Sequence, residues 1–232
     1  METCRGEEKK QKLVAKYDLT PLMHIDLSAY DKQTCCCGDK LENESDCYIF
    51  RAVDKTNKSN IFTFYAGAGS DKSCATKLLE LTGNQPLPKI NLFADNISNT
   101  TNPIGRNSKQ SLQDDETTFR QTWDPLNLEL YKAIYILLKA WNTHLKEDST
   151  LANILSFITS KPNRRTQEWT VLKVNKIIGT DRAGRNIHQM ISSVEHGNKK
   201  VKKINFPEII KVIENERKKD PTITNYFTNN KS

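Results

Sequence analysis

Two apolar runs rich in β-branched and aromatic residues, Tyr48-Ile49-Phe50-Arg51-Ala52-Val53 and Ile61-Phe62-Thr63-Phe64-Tyr65, stand either side of the polar stretch 54–60. Such a pair around a polar turn predicts a β-hairpin. Next comes a glycine turn, Gly67-Ala68-Gly69-Ser70, and then Cys74-Ala75-Thr76-Lys77-Leu78-Leu79-Glu80-Leu81, whose spacing predicts a short helix stopped near Gly83. Upstream, residues 1–34 offer one short amphipathic stretch and a turn at Thr20-Pro21. From 94 to 121 the text is dominated by Asn, Ser, Thr, Gln and charged residues, too polar to bury, and reads as a linker.

Beyond the linker the pattern becomes helical, with repeated start and stop signals. Asp124-Pro125 opens a run through Trp141 in which Leu126, Leu130, Ile134, Leu137, Leu138 and Trp141 form one apolar stripe. Ser149 precedes Leu151 to Ile158, and Thr166 precedes Trp169 to Ile178 with Gly179 as the stop. Arg185 to His196 ends at Gly197, and Phe206-Pro207 opens a last helix to about Lys219. The expected fold class is α+β: a small hairpin and helix domain over 1–93, the linker 94–121, and an all-α helical bundle over 122–232.

A chain of 232 residues can bury one large core or two modest ones. It has no apolar run of about 18 residues, and its first ten residues are charged where a signal peptide is apolar. A cytoplasmic protein without a membrane partner is expected. The net charge of +7, 35 basic against 28 acidic residues, points to an acidic partner such as DNA or RNA. The basic residues gather late, as Arg164-Arg165, Arg182 with Arg185, Lys199-Lys200, Lys202-Lys203 and Lys218-Lys219.

All six cysteines lie before residue 75. In a reducing compartment such a cluster favours metal over disulfides. Cys35-Cys36-Cys37-Gly38 forms a tight turn on which Cys35 and Cys37 make half of a site, and Cys74, at the positive end of a helix dipole, is expected to have a lowered pKa. The hairpin's antiparallel return brings the three thiols together around a structural Zn2+.

The order Cys-x-Cys-Gly, Tyr48-Ile49-Phe50, polar turn, Phe62-Thr63-Phe64, glycine turn and Cys74-Ala75-Thr76-Lys77-Leu78-Leu79 resembles treble-clef-type zinc modules, including the Cys-x-Cys-Gly versions of phage and mobile-element proteins, over roughly residues 33–84. Four residues rather than two separate Gly69 from Cys74, and Asp71 stands where that module has its second helix ligand. The fourth ligand is therefore sought among Cys47, Cys36, Asp71 and His24, in that order.

Other chemistry is thin. The strand, loop and helix over 61–81 follow the order of a nucleotide-binding P-loop, but Ala66 and Asp71 replace its glycines, and a carboxylate there repels polyphosphate. The four histidines are scattered, with no His-Glu-x-x-His and no Gly-x-Ser-x-Gly, so the reading leans away from an enzyme, with a reactive cysteine paired to a distant histidine as the lesser alternative. In the second half, Leu151 to Ile158, a basic turn and Thr166 to Ile178 read as a helix-turn-helix candidate. Arg164, Arg165, Thr166 and Gln167 are its candidate contacts, and Lys199, Lys200, Lys202 and Lys203 add phosphate contacts. Trp169 is expected in the core. The alternative is an interaction or immunity-type protein that docks another protein on the bundle.

Overall fold

The structure is a computed structural model in which residues 3–27, 33–42, 45–90, 122–194 and 204–228 are described. The expected linker over 94–121, the stop at His196 and Gly197, and Lys199, Lys200, Lys202 and Lys203 lie outside the described residues. The fold is mixed α/β, with seven helices and small antiparallel sheets among the described residues. Contacts divide the chain into two compact units, one within Met1–Ile90 and Leu145–Lys161, the other within Asn91–His144 and Pro162–Ser232.

In the first unit, α1 (Glu7–Lys16) leads directly into β1 (Tyr17–Asp26), and the short strands β2 (Gln33–Thr34) and β3 (Lys40–Leu41) pair with each other. The hairpin β4 (Asp46–Asp54) and β5 (Ile61–Gly67) forms as expected and joins a three-stranded antiparallel sheet in the order β1-β4-β5. Asp54 fixes the hairpin turn: its carboxylate accepts the amides of Thr56 and Asn57 and the Thr56 hydroxyl. These bonds, that of the Thr56 hydroxyl above all, hold its carboxyl down to about 2.

The turn expected at Thr20-Pro21 is instead interior to β1. The ladder with β4 shifts register between Pro21 and Met23, and a bulge on the outermost strand is where a residue without an N–H is tolerated. Cys47, Tyr48, Ile49 and Phe50 are all buried. Successive side chains of a strand point to opposite faces, so both faces of the sheet are covered.

This need for cover explains the placement of α4 (Thr150–Ser160), which the sequence groups with the bundle. Its apolar residues Leu151, Ile154, Leu155 and Ile158 are buried, and the helix packs on β1 within the first unit. On the hairpin side, α2 (Cys74–Thr82) starts at Ser73, whose hydroxyl accepts the Thr76 amide, and ends at Gly83 with φ 67°, a left-handed cap that suits glycine.

The second unit is built on α3 (Pro125–Ala140), capped by Asp124 and buried on nearly every side from Leu126 to Leu137. Around it pack α5 (Glu168–Ile178), α6 (Ile187–Ser193) and α7 (Pro207–Lys219). Polar side chains tie these helices together. The Glu129 carboxylate accepts the amides of Glu208 and Ile209 at 3.1 and 2.9 Å, capping α7, whose N-cap Phe206 has no suitable side chain. Asp181 takes a two-pronged guanidinium from Arg185 and the indole N–H of Trp141 at 2.7 Å, and Arg185 holds its carboxyl well below the usual carboxylate range.

Candidate metal centre

Four cysteines from three separate segments meet in the first unit. The sulfurs of Cys4, Cys36, Cys37 and Cys74 all lie within 4.8 Å of one another. Cys4 is 2.7 Å from Cys36, 3.7 Å from Cys37 and 3.8 Å from Cys74, which is 3.3 Å from Cys36 and 2.8 Å from Cys37. A tetrahedron with Zn–S bonds of about 2.3 Å has edges of about 3.8 Å. Two of these separations match it and the others are shorter, so the sulfurs need only spread slightly around an ion. The shortest, 2.7 Å, is well beyond a disulfide bond of about 2.05 Å, and all six cysteines are free thiols.

Local backbone chemistry makes this convergence. The Gly38 amide bonds the Cys35 carbonyl at 2.7 Å, closing a turn with Cys36 and Cys37 at its centre, and Gly38 takes φ 90°, open to a residue without Cβ. The Cys36 amide bonds the Tyr65 carbonyl on β5, and the Cys4 amide bonds the Cys36 carbonyl at 2.7 Å, which draws the N-terminal segment in. Cys74 is the first residue of α2, where the helix dipole favours negative charge.

Of the thiols expected here, Cys37 and Cys74 belong to the four-sulfur group. Cys35 lies alongside: its sulfur accepts the Cys37 amide at 3.4 Å and hydrogen bonds from the Cys36 and Cys74 thiols. Cys47 sits fully buried on β4, opposite Ile25 and Gly67, outside the group. Asp71 is exposed. The ring nitrogens of His24 face Asp46 at 2.7 Å and the Leu87 carbonyl at 3.2 Å.

Cys36, second among the candidates for the fourth ligand, is in the group, placed beside Cys37 by the turn, and the newcomer is Cys4. No spacing rule reaches from residue 4 to the Cys35–Cys37 turn. The only local hint is that Cys4 lies just before Gly6 and the acidic start of a helix.

Protons distribute unequally over the cluster. Cys35 and Cys4 are pushed down to about 2 and about 3, in each case chiefly by a hydrogen bond from Cys36. Burial pushes Cys37 up to about 11. Cys36 is pushed up through its bond to Cys35. Cys74 is also pushed up, because Cys35, Cys36 and Cys4 draw on its proton, which reverses the lowering expected from the helix dipole alone. Some sulfurs are ready to ionise and others retain protons, since sulfurs in contact cannot all carry charge unaided. A divalent cation relieves that constraint by replacing the protons.

The nucleic-acid candidates fall differently. The two helices of the expected helix-turn-helix belong to different compact units. Arg165 is paired with Glu208 at 2.8 Å and Asp124 at 3.6 Å. Thr166 is buried, its amide bonded to Asn127 and its hydroxyl to Thr170. Gln167 accepts the indole N–H of Trp169. Arg164 is exposed, while its carbonyl accepts from Asn127 at 2.8 Å. Trp169, expected in the core, is 51% exposed. No helix among the described residues is long and apolar enough to cross a membrane.

Fold and site together define a mixed α/β protein with a tetracysteine cluster, three of its residues buried and Cys74 half-buried, that could hold a metal ion. The chain belongs to the family described as uncharacterised conserved protein UCP028583, whose model matches residues 2–223. No curated protein and no solved structure matches it.

Proposed function

We propose that this is a zinc-stabilised binding protein rather than an enzyme: a structural Zn2+ on cysteine thiolates fastens the first unit, and the helical unit engages a nucleic acid. The observation that carries the metal reading is the meeting of four sulfurs from residues 4, 36–37 and 74 within 4.8 Å. Four thiolates fill a tetrahedral shell and leave no position for substrate or activated water, which suits a structural role. The hairpin and helix around it fit a treble-clef-type module over 33–84, followed by a helical domain.

Charge supports the partner. The first unit holds 15 basic and 15 acidic residues, the second 20 and 13, so the net +7 of the chain resides in the helical unit. A polyanion is the partner that such an asymmetry favours.

Five sulfurs compete for four positions, and Cys35 and Cys36 are the interchangeable pair. Cys36 is in the four-sulfur group, and Cys35 has the amide donor that stabilises a thiolate. Cys35→Ser and Cys36→Ser are each expected to retain close to one zinc per chain, and the double variant to lose it. Zinc content of the purified variants measures this, and loss of the metal from either single variant would assign that residue as an obligatory ligand.

A further inference from the structure

Trp169 is the most exposed of the large hydrophobic side chains among the described residues, at 51%. It stands on α5 with Lys173 and Lys176 at i+4 and i+7, one outward stripe opposite the buried Val171, Val174 and Ile178. The Lys173 ammonium lies 4.5 Å from the indole centroid, and the indole N–H is bonded to Gln167. The ring is thus held in place while half of its surface meets solvent. Glu168 lies about 100° round the helix from this stripe.

We propose that this face binds single-stranded nucleic acid, with the Trp169 indole stacked on a base and Lys173 and Lys176 on the adjoining phosphates. The inference rests on the nucleic-acid reading above and narrows it. An exposed aromatic ring needs an unstacked base, which a single strand offers and a duplex withholds. The polar groups that could read a duplex groove from this end of α5 are engaged: Thr166 is buried and bonded to Asn127, Gln167 holds Trp169, and Arg165 is paired with two carboxylates. The net charge of +7 on the helical unit matches a polyanion better than a neutral protein surface.

The test uses the full-length protein and a fluorescently labelled deoxythymidine homopolymer at low salt, read by anisotropy, with tryptophan emission followed in parallel. Wild type is expected to bind with quenching of the exposed indole. Trp169→Ala should weaken binding about tenfold or more, and Trp169→Phe, which keeps a ring to stack, should recover most of it. Lys173→Ala with Lys176→Ala should lower the salt slope by about two. Because Trp169 is exposed, circular dichroism of each variant should match wild type. Unchanged affinity in Trp169→Ala, or a preference for duplex, overturns the stacking site while leaving the broader reading in place. Absence of binding to single strands and duplex alike overturns both, as does salt-insensitive capture of a protein through Trp169.

Discussion

Cys74→Ser is expected to abolish metal binding and to unfold the first unit at ordinary temperature, while leaving the helices of the second unit formed. Cys74 supplies one sulfur to the cluster and is also the residue from which α2 starts. Structural zinc in small modules is worth roughly 10–16 kcal/mol, so even a quarter of it, about 3 kcal/mol, is a large part of a domain stability of roughly 5–15 kcal/mol. Cys35 and Cys36 compete for one of the four positions, so neither fills the one that Cys74 vacates, and the shell stays incomplete.

Cys47→Ser is the control. That side chain is equally buried, at 0% exposure, yet stands outside the four-sulfur group. Its substitution is expected to cost about 1–3 kcal/mol for a buried hydroxyl and to leave the zinc stoichiometry unchanged. Metal content and thermal unfolding of the two variants check this. Full zinc retention in Cys74→Ser would contradict the assignment of that residue.

In the helical unit the largest single effect is expected at Asn127. Its side chain is fully buried and makes three bonds to the segment 162–166: it donates to the carbonyls of Pro162 and Arg164 at 3.0 and 2.8 Å and accepts the Thr166 amide at 3.1 Å. One amide thus clamps to α3 the turn that leads into α5. Asn127→Ala leaves those backbone groups without this partner, at a cost of about 3 kcal/mol and a fall in melting temperature of about 10 °C. Asn127→Asp should be no better, because it still accepts from Thr166 but turns an oxygen toward two carbonyls. Thermal or urea unfolding measures both, and a loss under about 1 kcal/mol in Asn127→Ala would show that the turn is held by other means.

Much of this architecture is legible in the chain because local chemistry decides it. The hairpin, the Ser73-capped helix at Cys74 and the Asp124-Pro125 start of α3 each follow from residues within one or two turns. What escaped the sequence depends on distant partners. Pro21 looks like a turn until β4 is beside it and the bulge accommodates it. The helix at Thr150–Ser160 carries the same apolar stripe whether it covers a sheet or joins a bundle, so its period cannot announce its partner.

The candidate site divides in the same way. That cysteines 37 and 74 meet is readable from the hairpin's return and the helix start. The choice of Cys36 over Cys35 turns on which residues occupy the centre of the turn closed by Gly38, a matter of one residue's rotation. Cys4 is brought in by a single backbone bond to Cys36, which no pattern in the first ten residues encodes. Trp169 reads as core because a helix wheel centred on Trp169, Leu172 and Ile177 looks apolar, whereas the face that packs is Val171, Val174 and Ile178.

The central claim is a closed, all-sulfur metal centre, and X-ray absorption at the zinc edge on freshly purified full-length protein, with metal quantified in the same sample, tests it most directly. The expected result is close to one zinc per chain with four sulfur neighbours at about 2.3 Å. A protein purified without bound metal, or a zinc shell containing nitrogen or oxygen, would contradict it.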